Sequence, residues 1–420
     1  MRIPPGLVAM YLGHARQKRR RWLQALGRQE RIFRFFHSVD DPGSTMALHA
    51  LAPLMALGRL ELVLAPLPKA EFTPDAARNR VWALSDAQLL AQVYGLPRPA
   101  ALPTTGDVAQ AQAIACKERP APEQLALLLE LGAELFSGAP DLEVLSQAHG
   151  QVDLATCAKT LEQGARRRKA LGHYASGALS YEGEWYPGLE RLNFLFERLR
   201  EEEERLQQAD PVIANLVAQA PKLELAGAEA IEAYLSFRSP YSYLATQRLV
   251  RLSKHSGLPL HIYPVLPMVM RGLEVPRTKR LYLAWDAARV ARRLEIPFGR
   301  IADPLGLGVE RCLAICPWAE EQGKLADFFV AATSGIWSQG IDVSRDKGLI
   351  QTCRSAGLDP EEALRQTTSE SWRPVVEANR LALLELGLWG VPSVRIGKTV
   401  IWGQDRLAWV EQAMGIEARS

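Results

Sequence analysis

A chain of 420 residues, 48% hydrophobic and 23% charged, is longer than one core usually organises and has no run long enough to span a bilayer, so it reads as a soluble globular protein of two or more domains. The net charge of +3 hides an asymmetry, because residues 1–29 hold seven Lys/Arg and no acid while the remainder stands at −4. The five cysteines, Cys116, Cys157, Cys312, Cys316 and Cys353, are odd in number and contain no C-x-x-C, which argues against a secreted disulfide framework and against a thiol-disulfide oxidoreductase.

In chain order, residues 1–29 form a basic lead-in whose core is "ARQKRRRW", Arg16 to Arg21 followed by Trp22. Contact with nucleic acid or an acidic membrane surface is one reading, but the rest of the chain has no second basic-aromatic stripe. A solvated helical lead-in is expected, with no nucleic-acid or membrane partner. Without an apolar h-region and cleavage site near the start, the expected location is cytoplasmic.

From residue 30 onward the chain is written twice. "HSVDDPGSTMALHAL" sets Ser38, Pro42, Ser44 and Ala47 against Ser236, Pro240, Ser242 and Ala245 at a constant separation of 198. "GRLELVLAPLP" and "GLPLHIYPVLP" follow at 199, Arg80, Asp86 and Pro97 match Arg280, Asp286 and Pro297 at 200, and Ser137 matches Ser338 at 201. "GLERL" and "GQDRL" then align Arg191 with Arg406 at 215. The separation drifts in one direction along both copies, which chance local matches would not do. The expected domains are 30–208 and 230–416, joined by a linker at 209–229 that follows the charged helical run "ERLREEEERLQQAD".

Each copy has one plan. A strand (Ile231 to Leu235 in the second copy), a helix opened by a proline turn and a second strand come first. A long stretch of helical periodicity follows, and two short strands and a terminal helix close the copy. On the opening helix Tyr241, Leu244, Ala245, Leu249 and Leu252 recur at helical spacing. "SVRIG" and "TVIWG", Ser393 to Gly403, suggest a hairpin turned at Gly397-Lys398. Cys312 and Cys316 in "CLAIC" share a helix face, but with no histidine or further cysteine nearby in sequence they are expected to be core thiols, not metal ligands. The fold class is α/β: two tandem thioredoxin-like domains, each with an inserted helical subdomain.

Three motifs of the second copy, "SPYSYLA" at 239–245, "GVPSV" at 390–394 and "WGQDRL" at 402–407, occur in order around a helical insertion containing "KRLYLAWD" at 279–286. In these the second copy resembles the DsbA-like branch that contains the kappa-class glutathione transferases and the 2-hydroxychromene-2-carboxylate isomerases. The resemblance implies that glutathione is the cofactor and that Ser239 takes the place of a redox nucleophile, hydrogen-bonding the glutathione thiol. A helix N-terminus with an added hydroxyl donor favours a thiolate. Ser239 as a plain N-cap is the alternative. The resemblance further implies a cis Pro392 whose loop presents the backbone of Val391 to the glutathione peptide. It places Gln404 and Asp405 against the γ-glutamyl group, and Lys279 and Asp286 in the insertion closing over the cofactor. A first-turn aspartate and a helix-surface charge pair are the corresponding plain readings. Two features depart from the family pattern: the loop "VMRGLEVPRTK" lacks an asparagine, and Gln404 is larger than the usual serine or asparagine.

The first copy has Asp41 where the second has Ser239, Gly177 at the proline position and Leu189 in place of Gln404, leaving Glu190 against Asp405. A carboxylate there would repel a thiolate, so the first copy is expected to be a scaffold and the chemistry to reside in the second. Because family members commonly pair as dimers, the two copies are expected to pair within the chain, with a homodimer as a further option. The leading function is a glutathione-dependent isomerase or transferase acting on an aromatic or conjugated carbonyl compound. The resemblance implies thiolate addition to a conjugated double bond, rotation and elimination. Tyr241, Tyr243, Tyr282, Trp285, Trp337 and Trp402 would line its pocket or belong to the core. The alternative is a non-enzymatic binding or scaffold protein using the groove beside Val391-Pro392.

Overall fold

The computed structural model describes residues 32–56, 59–69, 72, 75–202, 223, 225 and 227–416. The basic lead-in and most of the expected linker lie outside the described residues. The chain divides into two compact units at 222/223. Among the described residues no helix is long and apolar enough to cross a membrane.

In the first unit β1 (Phe33–His37) feeds the helix Pro42–Leu48 and, after a short helix at Ala52–Ala56, β2 (Leu60–Leu64). Helices then run from Ala76 to Ala170, and β3 (Ala178–Tyr181), β4 (Glu184–Pro187) and the helix Gly188–Glu202 close the unit. In the second unit β5 (Ile231–Leu235), the helix Pro240–Ser256 and β6 (Leu260–Pro264) precede a helical stretch from Arg277 to Glu385. β7 (Ser393–Ile396), β8 (Thr399–Trp402) and the helix Leu407–Ala413 follow.

The sheet orders are β2-β1-β3-β4 and β6-β5-β7-β8. In each, the first strand pairs parallel with the second and antiparallel with the third, and the last two form a hairpin. Ile396 faces Thr399 across the turn at Gly397-Lys398, where Gly397 takes a φ of 59° that glycine adopts without Cβ strain.

The equivalence reaches single hydrogen bonds. Ser44 Oγ accepts from Ser38 N–H at 3.3 Å, and Ser242 Oγ from Ser236 N–H at 3.2 Å. Asp41 N–H donates to Ser38 O and Ser239 N–H to Ser236 O, while Ala65 N–H donates to His37 O and Val265 N–H to Leu235 O. At the far loop Gly188 N–H reaches Gly177 O and Gly403 N–H reaches Pro392 O. The pairs fall at the separations of 198, 200 or 215 that the repeat contains, since these bonds hold the strand-to-helix and loop-to-strand corners that both sheets need.

Helix positions follow the apolar spacing. On Pro240–Ser256, a proline at N1 fits the fixed φ of a first helical turn, and Leu244, Ala245, Leu249 and Leu252 are buried. Each leucine fully removed from water contributes about 1.5–3 kcal/mol. All five cysteines are buried free thiols, and Cys316 donates to the carbonyl of Cys312 in its own helix.

Candidate functional site

Sheet register brings two distant motifs together. Tyr234 faces Ser393, so Pro392, immediately before β7, lies beside the segment leaving β5 for the helix that begins after Ser239. The Val391-Pro392 peptide is cis. Among the described residues neither the N–H nor the C=O of Val391 is engaged in a hydrogen bond. Ser239 is the N-cap of Pro240–Ser256, and its half-exposed Oγ accepts from Ser242 N–H at 3.1 Å. A serine oxygen has a proton as well as lone pairs, so capping occupies an acceptor position and leaves the O–H to donate. The cap and a second role are thus compatible. The helix dipole adds positive potential at the same point.

Gly390 shapes the turn from behind. A Cβ there would come within 2.1 Å of the Trp402 ring, which also meets Trp389 edge-on at 5.1 Å between centroids. The half-buried Arg271, to which none of the motifs draws attention, donates to Trp389 O at 3.4 Å and brings a guanidinium to the same loop.

The remaining expected site residues divide. Lys279 is half-buried on the helix Arg277–Arg293, and burial lowers its ammonium pKa to about 8. Asp286, 1% exposed, is paired with Arg289 three residues on in its own helix, and its Oδ2 accepts from Tyr241 O–H at 2.6 Å. It therefore orients Tyr241 instead of facing solvent. Gln404 corrects the sequence expectation more strongly. It is 3% exposed, its carbonyl and Oε1 accept from Arg248, and its Nε2 donates to Asp405. Arg248 is itself paired with the buried Glu411 at 2.6 Å, so the side chain of Gln404 is bound into an internal network and leaves Asp405, half-buried, as the polar group of that turn.

Of the six aromatics, Tyr243 and Trp337 are core. Tyr243 O–H donates to Pro297 O at 2.6 Å, and Trp337 Nε1–H donates to Phe237 O at 3.0 Å. Tyr241, Tyr282, Trp285 and Trp402 remain half-buried.

At the equivalent corner of the first unit the groups close on each other. Asp41 caps the helix Pro42–Leu48 through Gly43 N–H, and Ser176, which occupies the position of Val391, donates its hydroxyl to Asp41 Oδ2. Burial raises the Asp41 pKa, while Ser176 and backbone N–H donors act in the opposite direction. Gly177 lies so close to the helix that a Cβ would come within 2.9 Å of Ser44 Cα. His37, where the second copy has Leu235, is buried with Nδ1 2.7 Å from Ser44 Oγ, and burial lowers its pKa to about 3.

Residues 230–415 match the DSBA-like thioredoxin domain. The C-terminal half carries a DSBA-like thioredoxin domain. Within that half, the chain is similar to the 2-hydroxychromene-2-carboxylate isomerase of Sphingobium xenophagum, with 26% identity over 190 residues, 43% of this chain and 95% of that protein. The 2-hydroxychromene-2-carboxylate isomerase of Pseudomonas putida is 25% identical over 194 residues, covering 44% and 94% respectively. Among solved structures, that of a selenomethionine 2-hydroxychromene-2-carboxylate isomerase aligns with a TM-score of 0.39 and 25% identity, over 44% of this chain and 94% of that one.

Proposed function

We propose that the DSBA-like domain is a glutathione-dependent isomerase or transferase acting on an aromatic or conjugated carbonyl compound, with its chemistry at Ser239. The observation that supports this reading is the sheet register, which sets β7, directly after the cis Val391-Pro392 peptide, against β5, whose end leads to the helix capped by Ser239. The similarity to proteins named as 2-hydroxychromene-2-carboxylate isomerases supports the same reaction class. Glutathione, when bound, supplies a thiolate able to add to a conjugated double bond and leave again.

The residues fit that group at its sulfur and peptide ends. Ser239 would donate a hydrogen bond to the sulfur, and the helix N-terminus would support its negative charge. Val391 pairs through its N–H and C=O with the peptide. Arg271 and Lys279 provide cationic partners for the carboxylates, Asp405 receives the γ-glutamyl amine, and Tyr241, oriented by Asp286, borders the substrate side. In the first unit Asp41 and Ser176 satisfy each other, which suits a scaffold derived by tandem duplication, with copies at 30–208 and 230–416 joined by 209–229.

The internal commitment of Gln404 favours one competing reading, a non-enzymatic protein that holds peptides or a partner at the Val391-Pro392 groove. Calorimetry of the full chain with reduced glutathione separates the two. Saturable binding that weakens in Asp405→Ala supports the enzyme, and absence of binding overturns it in favour of the groove.

A further inference from the structure

In the helical insertion of the first unit, Cys116 and Cys157 bring their sulfur atoms to 3.5 Å from one another. Cys116 is the residue that ends the helix Thr105–Ala115, and Cys157 lies at the start of Leu154–Ala170, its N–H bonded to Asp153 O. They are 9% and 5% exposed. The segment after Cys116 is tied down: Lys117 Nζ donates to His149 O, and Arg119 donates to Ile114 O, Lys117 O and His149 O. Two cationic residues therefore follow Cys116 within three positions of sequence, and the chain that carries it is held against the end of the helix Leu142–His149.

We propose that Cys116 and Cys157 form an oxidisable pair that closes an intramolecular disulfide when the protein meets hydrogen peroxide. Bond formation brings the sulfurs from 3.5 Å to about 2.05 Å, a movement that side-chain rotation at a helix end can supply without separating the helices. The more exposed Cys116 is the attacking group. Its sulfur, as thiolate, attacks one peroxide oxygen, the O–O bond breaks, and the thiol proton leaves with the other oxygen as water. Cys157 then displaces hydroxide from the sulfenic acid on Cys116, its own proton completing a second water as the S–S bond forms. Two thiols lose two electrons and one peroxide gains them. Burial and the neighbouring sulfur raise the Cys116 thiol pKa, so the reaction waits on transient opening that exposes Cys116 to Lys117 and Arg119. The resulting staple spans the helices Ala121–Leu135 and Leu142–His149 and leaves Ser239 and the second unit untouched.

The test treats the full chain with hydrogen peroxide and follows it by thiol titration in denaturant and by non-reducing tryptic mapping. Titratable thiols should fall from five to three. A linked species should join the peptides ending at Lys117 and Lys159, lighter by two hydrogens than their sum. The unfolding midpoint of the first unit should rise, on the order of 5 °C, and return on reduction. Cys157→Ala should abolish the linked species while keeping the reduced protein's circular dichroism, and Cys116→Ala serves as the second variant should that one not fold. Five titratable thiols after treatment, a gain of two oxygens on Cys116 without the link, or a link to any other cysteine overturns the proposal.

Discussion

The Ser176 hydroxyl donates to the Asp41 carboxylate, joining in the first unit the two positions that Val391 and Ser239 hold in the second. Where the first unit satisfies its own helix end, the second has at these positions a helix-capping serine and the residue that precedes a cis proline.

Ser239→Ala should lower glutathione-dependent turnover by on the order of 10²–10³-fold, because it removes one preorganised donor to a developing anion while the helix N-terminus remains. The same change deletes an N-cap worth about 1 kcal/mol, whereas Ser239→Gly costs only a few tenths. Turnover should therefore fall equally in both variants, with only the alanine lowering the unfolding midpoint. Asp41→Ala should leave turnover nearly unchanged. Loss of activity on changing Asp41 but not Ser239 would assign the chemistry to the other copy.

His37 should make the first unit acid-labile. Its folded pKa, about 3, lies below the ordinary value of 6.5, so between these pH values the unfolded chain binds a proton that the folded chain excludes. The stability held above pH 6.5 is lost as pH falls through that window. His37→Leu, the residue found at the matching position of the second copy, should flatten the first unit's stability between about pH 6.5 and pH 3. An unchanged pH profile in denaturant titrations would show that burial of this ring is not what limits acid stability.

What was legible in the sequence was local. β5, the Gly397-Lys398 turn and the proline-opened helix depend on neighbours a few residues apart, and the drift of the repeat separation carried the two-sheet plan. What the sequence does not carry is the partners of its polar side chains. Gln404 has the chemistry of a ligand contact, but Arg248, 156 residues away, holds it, and Glu411, 163 residues from Arg248, holds Arg248. Asp286 is engaged by Tyr241 at a separation of 45 residues, and Ser176 meets Asp41 at 135. No short-range pattern encodes those meetings; they follow from tertiary packing.

The Arg248–Glu411 pair anchors the turn that carries Asp405, with side chains 5% and 3% exposed. Glu411→Gln leaves a buried guanidinium without its counter-charge and should destabilise the second unit by about 3 kcal/mol. Arg248→Met combined with Glu411→Leu should recover much of that loss, since a buried pair replaced by apolar groups is often near neutral. The double variant frees the Gln404 carbonyl and side chain from Arg248, so its glutathione affinity should stay low even where its midpoint recovers. Recovery of both together would show that the network does not position the site.

Gly390→Ala places a methyl group 2.1 Å from Cζ2 of Trp402, a rigid indole that must move with the hairpin. Overpacking of this kind costs about 1–3 kcal/mol. Because Gly390 directly precedes Val391, glutathione affinity should fall along with the midpoint, and Trp402→Leu in the same chain should restore stability. A wild-type midpoint for the single variant in thermal unfolding would contradict this account of the turn.

Lys279 gives the site a pH signature. Burial lowers its pKa to about 8 against an ordinary 10.5, so between those values the unfolded chain binds a proton that the folded chain releases, and its cost to stability, present below pH 8, disappears as pH rises. A ligand carboxylate would raise the pKa again, coupling binding to proton uptake. With S-methylglutathione, which has no thiol to titrate, wild-type affinity should weaken about tenfold between pH 7 and pH 9 beyond any loss in Lys279→Arg, whose guanidinium stays charged. Lys279→Met should bind weakly throughout and lack the stability gain at high pH. Calorimetry in buffers of different ionisation enthalpy should record net proton uptake near pH 8.5 in the wild type and less in the arginine variant. Identical pH profiles for wild type and Lys279→Arg would remove Lys279 from the site and leave Arg271 as the cation at the Val391 loop.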